Sequence, residues 1–472
     1  MAEGSNSQIE APFNPCATGE RGFSLMELRK GRSMTSMSEN WSFNTQQIHA
    51  GQEPDGSYGS INLPIHQTTA YQFKSTQQAA DMFALKEFGN SYTRMTNPTQ
   101  DIVEQRLAKL EGGIGALLVS SGMAATAMAL MNLAQAGDHI VSSRNVYGGI
   151  HNLLHYTLPK WGVETTFVDE ANNLDAWKRA IKPNTKAFFG EGISNPIAAA
   201  LDIEGIANIA HDAGVPWVVD NTIATPYVTK PFDYGADVIT HSATKFLSGH
   251  GSAIVGAIVD SGKFDYSKDP KKFPGFNEPD GSYNNLIYAR DFGVNSPVGN
   301  MAFIIKARVQ LLRDFGSSVS PFNAWLLAQG METLSMRMKA HLENAQKVAE
   351  WLSTHPQVVQ VMYNGLPTSE WHKNQQKYAP KGGGAVMSFE IKGGKEAGMK
   401  FVEGLRMFRH VANIGDVRSL VIHPASTTHS QLGEEGMRDA GINPGMIRLS
   451  IGIEDFADIK SDMELGFKAA SA

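Results

Sequence analysis

A single cysteine, Cys16, stands among 472 residues, which excludes an intramolecular disulfide and a thiolate metal cage and fits a reducing cytoplasm. No uninterrupted apolar run reaches the roughly 20 residues that cross a bilayer, so no membrane-spanning protein is expected. Basic residues are not in excess. The 41 Lys and Arg stand against 47 Asp and Glu, a formal charge of −6, so a nucleic-acid partner is not expected. Gly113-Ile114-Gly115 and Gly249-His250-Gly251 lack the third glycine of a dinucleotide fingerprint, and Gly382-Gly383-Gly384 lacks the lysine and hydroxyl of a P-loop. His151 and His155 have the spacing of a helical zinc pair, but Asn152 stands where a water-activating glutamate belongs. They read as one helix face, and no metal is expected.

What remains is an ordinary globular balance, 42% hydrophobic and 19% charged, in a chain too long for one core. Two domains are expected. Residues 1–36 mix Gly, Ser, Asn and charges without periodicity and read as a disordered arm or an expression remnant. They have no signal-type apolar core, and Arg21, Arg29 and Arg32 are too few for a transit peptide. From about 85 to 260, short apolar runs alternate with helical segments, the pattern of an α/β fold around a mainly parallel sheet with flanking helices. Strands are expected at 116–120, 139–142, 187–190, 217–219 and 238–240. Ser121, Glu191, Asp220 and His241 follow such runs, and in open α/β sheets ligands sit beyond the carboxyl ends of the strands. Residues 261–300 read as a long irregular excursion. Leu342, Ala345, Ala349 and Leu352 recur at helical spacing before Pro356 and begin a smaller C-terminal α/β domain, with a strand expected at 385–391.

Asp220-Asn221-Thr222 and His241-Ser242-Ala243-Thr244-Lys245 carry the clearest chemistry. A lysine at a strand end forms a Schiff base with an aldehyde cofactor, and an aspartate keeps a pyridinium nitrogen protonated. Either residue alone also reads as an exposed lysine or a turn aspartate; together they describe an electron sink. Ser120-Ser121-Gly122-Met123 opens a helix whose free N–H groups attract phosphate, with Ser242 and Thr244 as further donors. Alone, Ser121 is equally an ordinary N-cap. Tyr147-Gly148-Gly149 offers an aromatic face for a flat ligand. Asn195, in Ser194-Asn195-Pro196, is a turn residue whose amide also suits a phenolate oxygen. Arg448, in an apolar strand-like run, suits a substrate carboxylate or a structural ion pair.

Together with Ser91-Tyr92-Thr93-Arg94, and in the order in which they stand along the chain, these motifs resemble the cysteine and methionine metabolism family of pyridoxal-phosphate enzymes, which includes cystathionine γ-synthase; the likeness runs from about residue 42 to the C-terminus. The resemblance implies a fold-type I transferase that binds pyridoxal 5'-phosphate. It implies Lys245 as the Schiff-base lysine, Asp220 at the ring nitrogen, Tyr147 stacked on the ring and active in catalysis, and Asn195 at the ring oxygen. Ser121, Gly122, Met123, Thr222, Ser242 and Thr244 would hold the cofactor and its phosphate. Tyr92 and Arg94 would reach the phosphate of a neighbouring subunit, and Ser419 and Arg448 would take the substrate carboxylate. The implied organisation is a 37–84 arm serving a neighbour, a cofactor domain at 85–315 and a C-terminal domain at 316–472, in a cytoplasmic homotetramer built from dimers.

Within the family, Asn413-Ile414-Gly415-Asp416-Val417-Arg418-Ser419-Leu420 and His423-Pro424-Ala425-Ser426-Thr427-Thr428-His429 are similar to the branch that condenses O-acetylhomoserine with sulfide, or another thiol, in methionine biosynthesis. A synthase making cystathionine and a methionine γ-lyase are the neighbouring alternatives, and a silent scaffold of the same fold is a remote one. Gly149 stands where γ-lyases commonly have cysteine, and His66 where many relatives have tyrosine.

Overall fold

Asn97-Pro98 is a helix start legible in the sequence. The Asn97 side chain accepts from the Thr99 N–H at 2.9 Å, Pro98 occupies the first turn where no N–H is needed, and Gly112 ends the helix with φ of 84°. The computed structural model describes residues 41–428 and 442–472. The 1–36 arm, the start of the 37–84 segment and His429 lie outside these residues. In chain order the main helices are α1 (Phe43–His49), α2 (Pro98–Glu111), α3 (Gly122–Met131), α4 (Gly148–Asn152), α5 (Ile203–Asp212), α6 (Pro321–Glu332), α7 (Leu334–Ser353), α8 (Gly394–Gly404) and α9 (Phe456–Ala470).

The larger sheet has seven strands: β1 (Gly115–Val119), β2 (His139–Ser143), β3 (Glu164–Val168), β4 (Thr185–Glu191), β5 (Trp217–Asp220), β6 (Val238–Ser242) and β7 (Gly256–Asp260). Their order is β1-β7-β6-β5-β4-β2-β3. β2 through β6 pair in parallel, and β7 runs antiparallel to β1 and β6. The mainly parallel sheet is as expected, and the five expected strands are all present. β3 escaped the sequence reading because its first three residues, Glu164-Thr165-Thr166, form a polar, partly exposed edge. Helices cover both faces, and the central strands are correspondingly apolar throughout: Phe188, Phe189, Trp217, Val218 and Val219 have no exposed surface.

The excursion at 261–300 folds into short helical turns around stacked rings, with Tyr266 and Phe276 only 4.1 Å apart between centroids. The smaller sheet comprises β8 (Val358–Met362), β9 (Val386–Ile391), β10 (Arg409–His410), β11 (Leu420–Ile422) and β12 (Met446–Ser450) in the order β10-β11-β12-β9-β8. α7 starts at Leu334, eight residues before the first periodic leucine, and ends before Pro356. Buried Arg337 on α7 donates to the carbonyls of Phe246 at 2.7 Å and Leu247 at 3.1 Å. This ties α7 to the turn that carries Lys245. Among the described residues no helix is long and apolar enough to cross a membrane.

Candidate active site

The carboxyl ends of β1, β2, β4, β5 and β6 open on one side of the larger sheet, and the smaller sheet presents β12 to it. Lys245 follows β6 in a tight turn, its N–H donating to Ser242 O at 3.1 Å and its carbonyl accepting from Gly249 at 2.7 Å. Its amine donates to Asn413 Oδ1. Burial, and then the charge of Arg448, push the lysine down to about 8 from an ordinary 10.5. A substantial share of this amine is therefore neutral near physiological pH.

Asp220 ends β5, buried, accepting from the Thr222 N–H at 2.9 Å and the Thr240 hydroxyl at 3.3 Å. Burial nevertheless pushes its carboxyl up, outweighing the hydrogen bonds from Thr222 and the charge of His241. Beside it in the β4–β5 register stands Glu191, whose oxygens accept from the Tyr147 N–H at 2.5 Å and the Asn195 N–H at 3.0 Å. Tyr147 is half exposed, and its ring lies so close over Gly149 that a Cβ there would meet Tyr147 Cε1 at 2.5 Å. The Tyr147 phenol also lies close enough to favour the charged form of Arg448. Asn195 is buried, with Oδ1 lacking any hydrogen-bond partner.

Ser121 caps α3, its hydroxyl accepting from Ala124 N–H at 3.2 Å. The first intrahelical bond belongs to Ala125, which leaves the N–H groups of Gly122 and Met123 at the open end. That end is pressed against β6, because a Cβ on Gly122 would sit 2.5 Å from Ser242 Cβ and 2.9 Å from its hydroxyl. The Thr222 hydroxyl accepts from Ser242 N–H at 2.8 Å and so locks the two loops together. Thr244 differs from expectation: its hydroxyl is engaged with the backbone of Val255, at 3.2 Å to the carbonyl and 3.0 Å from the N–H. It braces the lysine turn.

Arg448 lies on β12, buried, donating through Nη2 to Asn413 O at 2.9 Å while its Nε has no partner. Burial pushes it down to about 10. Ser419 is not brought to this guanidinium. Fully buried, it donates to Glu454 Oε2 and accepts from the Gly452 N–H, both at 2.9 Å. Asn413 is the member of the 413–420 motif that meets Lys245 and Arg448, and the sequence reading gave it no role. Tyr92 and Arg94 pair with each other. Tyr92 is 46% exposed, Arg94 sits 5.4 Å over its ring, and the guanidinium donates to Arg313 O. His151 and His155 stack on each other with centroids 5.4 Å apart, and among the described residues no group of three acidic, His or Cys side chains is placed to hold a metal.

The sequence profile of the Cys/Met metabolism PLP-dependent enzymes matches residues 44–468. The chain belongs to that family. An O-acetyl-L-homoserine sulfhydrylase of Leptospira meyeri is 48% identical over 93% of this chain and 99% of the relative. A Corynebacterium glutamicum O-acetyl-L-homoserine sulfhydrylase is also 48% identical, over 92% of this chain and 98% of its own length. Among solved structures, a Campylobacter jejuni chain assigned as an O-acetylhomoserine (thiol)-lyase superposes with a TM-score of 0.86 at 41% identity, covering 91% of this chain and all of that one. That structure carries a pyridoxyl-lysine phosphate. Family membership makes the chain a pyridoxal-phosphate enzyme of fold type I.

The residues present fit this cofactor on their own evidence. Asp220 is a buried carboxyl with no ion pair among the described residues, and Lys245 a buried amine with lowered proton affinity. The open end of α3 beside Ser242 is shaped for an anion.

Proposed function

We propose that this enzyme replaces the acetate of O-acetylhomoserine with sulfide, giving homocysteine and acetate. The observation that carries the reading is the meeting of Lys245 and Arg448 at Asn413, which sets an amine of lowered proton affinity beside a guanidinium suited to a carboxylate. The likeness to the named sulfhydrylases over more than nine-tenths of the chain supports the choice of ester and sulfur donor.

Pyridoxal phosphate, when bound, supplies an aldehyde with which amines condense and a ring that accepts an electron pair. Asp220 would hold the proton on the ring nitrogen, Tyr147 would lie against the ring face, and Asn195 would bond the ring oxygen. Gly122, Met123 and Ser242 would hold the phosphate, with Ser121 and Thr222 shaping that end. Arg448 would fix the substrate carboxylate, with Asn413 beside it in the place expected of Ser419. Lys245, set free by the substrate amine, would take the proton from Cα and then one from Cβ. Loss of acetate breaks the Cγ–O bond. Sulfide then forms the Cγ–S bond, and the two carbon-bound protons return through Lys245. With methanethiol the same sequence ends at methionine. Lys245→Ala is expected to abolish turnover while the circular dichroism of the fold is kept; turnover near that of the parent would refute the assignment.

The same reading takes the assembly as a homotetramer of dimers in the cytoplasm, with the 37–84 segment serving a neighbour, a cofactor domain at 85–315 and a second domain at 316–472. Tyr92, which is 46% exposed and carries Arg94 over its ring, is available to a neighbouring subunit and supports shared sites. Light scattering coupled to size exclusion checks it: a monomer carrying full activity would contradict it.

A further inference from the structure

Glu191 is a buried carboxyl in the crevice to which the steps above give no role. It ends β4 with 5% of its surface exposed, and both oxygens face backbone N–H groups rather than a cation. Those two N–H groups belong to separate loops, one after β2 and one after β4. A carboxyl group offers an acceptor at each end; a glutamine of the same size would turn an NH2 toward one of the two donors. The arrangement is costly as a mere brace, because Asp220 stands beside it on the adjoining strand and the two buried acids repel. Burial and the neighbouring Asp220 accordingly push the Glu191 carboxyl up. A cation bound at Asp220 removes that penalty.

We infer that Glu191 is a positioning residue of the cofactor site: a two-ended clamp that sets the Tyr147 ring and the Asn195 amide at a fixed separation and, with Asp220, forms an anionic floor for a flat cationic ring. The inference rests on the reading that pyridoxal phosphate binds here. Without the clamp the Tyr147 loop and the Asn195 turn lose their common anchor, and the ring is held less tightly and at a different tilt.

The test uses the full chain as Glu191→Gln and Glu191→Asp. It reads the pyridoxal-phosphate dissociation constant, the visible circular dichroism of the bound chromophore, and the melting of the cofactor-free protein. Glu191→Gln is expected to weaken retention about tenfold or more, the cost of one charge-assisted hydrogen bond, and to change the amplitude of the visible band. Glu191→Asp keeps the charge but not the reach, and is expected to recover part of the affinity without restoring the band. Retention and band indistinguishable from the parent in both variants, whatever the melting shows, would overturn the clamp. Should Glu191→Gln fail to fold, Glu191→Asp decides by the same two readouts. A parent chain that takes up no pyridoxal phosphate would instead refute the functional reading itself.

Discussion

Lys245 and Arg448 are joined through one residue, Asn413, whose side-chain oxygen accepts from the lysine and whose carbonyl accepts from the arginine at 2.9 Å. The lysine follows a strand of the larger sheet and the arginine lies on a strand of the smaller one. A single loop thus aligns the proposed base with the proposed carboxylate anchor. Burial first, and then the second cation placed close by, make the lysine give up its proton readily.

The first consequence is a pH dependence. Because the Lys245 amine is held down to about 8, its neutral and reactive fraction grows as pH rises and is nearly complete a unit above that value. The rate at which the cofactor-free protein captures pyridoxal phosphate, followed by absorbance, is expected to rise with pH to a midpoint near 8. Arg448→Ala removes a positive neighbour and is expected to move that midpoint upward. A midpoint near the ordinary 10.5 in the parent would contradict the burial argument.

Arg448→Ala should act mainly on substrate capture. Loss of a charge-assisted contact to the carboxylate corresponds to about 1.5–3 kcal/mol, so KM for the ester is expected to rise about tenfold to a hundredfold, with a smaller change in kcat. Initial rates against ester concentration check this. An unchanged KM would remove Arg448 from the substrate site.

Much of the site was legible because its residues sit beside their partners in sequence. Ser121 caps its own helix, Thr222 reaches back to Asp220, and Lys245 follows the hydroxyl pair at the end of β6. The rest depends on distance along the chain. The contact of Asn413 with Lys245 spans 168 positions, so nothing local distinguished Asn413, which meets Lys245 and Arg448, from Ser419, which bonds Glu454 and Gly452. Glu191 was visible as a polar strand tip, but its two acceptor bonds appear only when the loop after β2 folds onto it. Thr244 looked like a phosphate donor because a hydroxyl beside the lysine invites that reading, and the backbone of Val255 takes it instead.

Gly415 marks where the 413–418 loop meets the lysine turn. Its φ is +76°, and a Cβ would come within 2.6 Å of Phe246 N and 2.8 Å of Lys245 Cβ. Gly415→Ala is expected to cost about 1–3 kcal/mol of stability and to displace the amine. Thermal melting and turnover should fall together. An alanine variant with parental melting and activity would show that the loop can retreat from the lysine.

Gly149 separates stability from activity. It lies within α4, where alanine is the better helix former by about 1 kcal/mol, yet a Cβ would press on the Tyr147 ring at 2.5 Å. Gly149→Ala is therefore expected to hold or slightly raise the melting temperature while cofactor affinity and turnover fall. Unaltered affinity and turnover would mean that the ring position does not depend on this glycine.

The central claim is the reaction itself, and identifying the product under anaerobic conditions tests it most directly. Purified protein with pyridoxal phosphate and O-acetylhomoserine is offered sulfide, methanethiol and cysteine separately, and the sulfur products are identified by mass. The account predicts homocysteine and an equal amount of acetate with sulfide; cystathionine as the dominant product, or no homocysteine from a protein that has bound its cofactor, would contradict it.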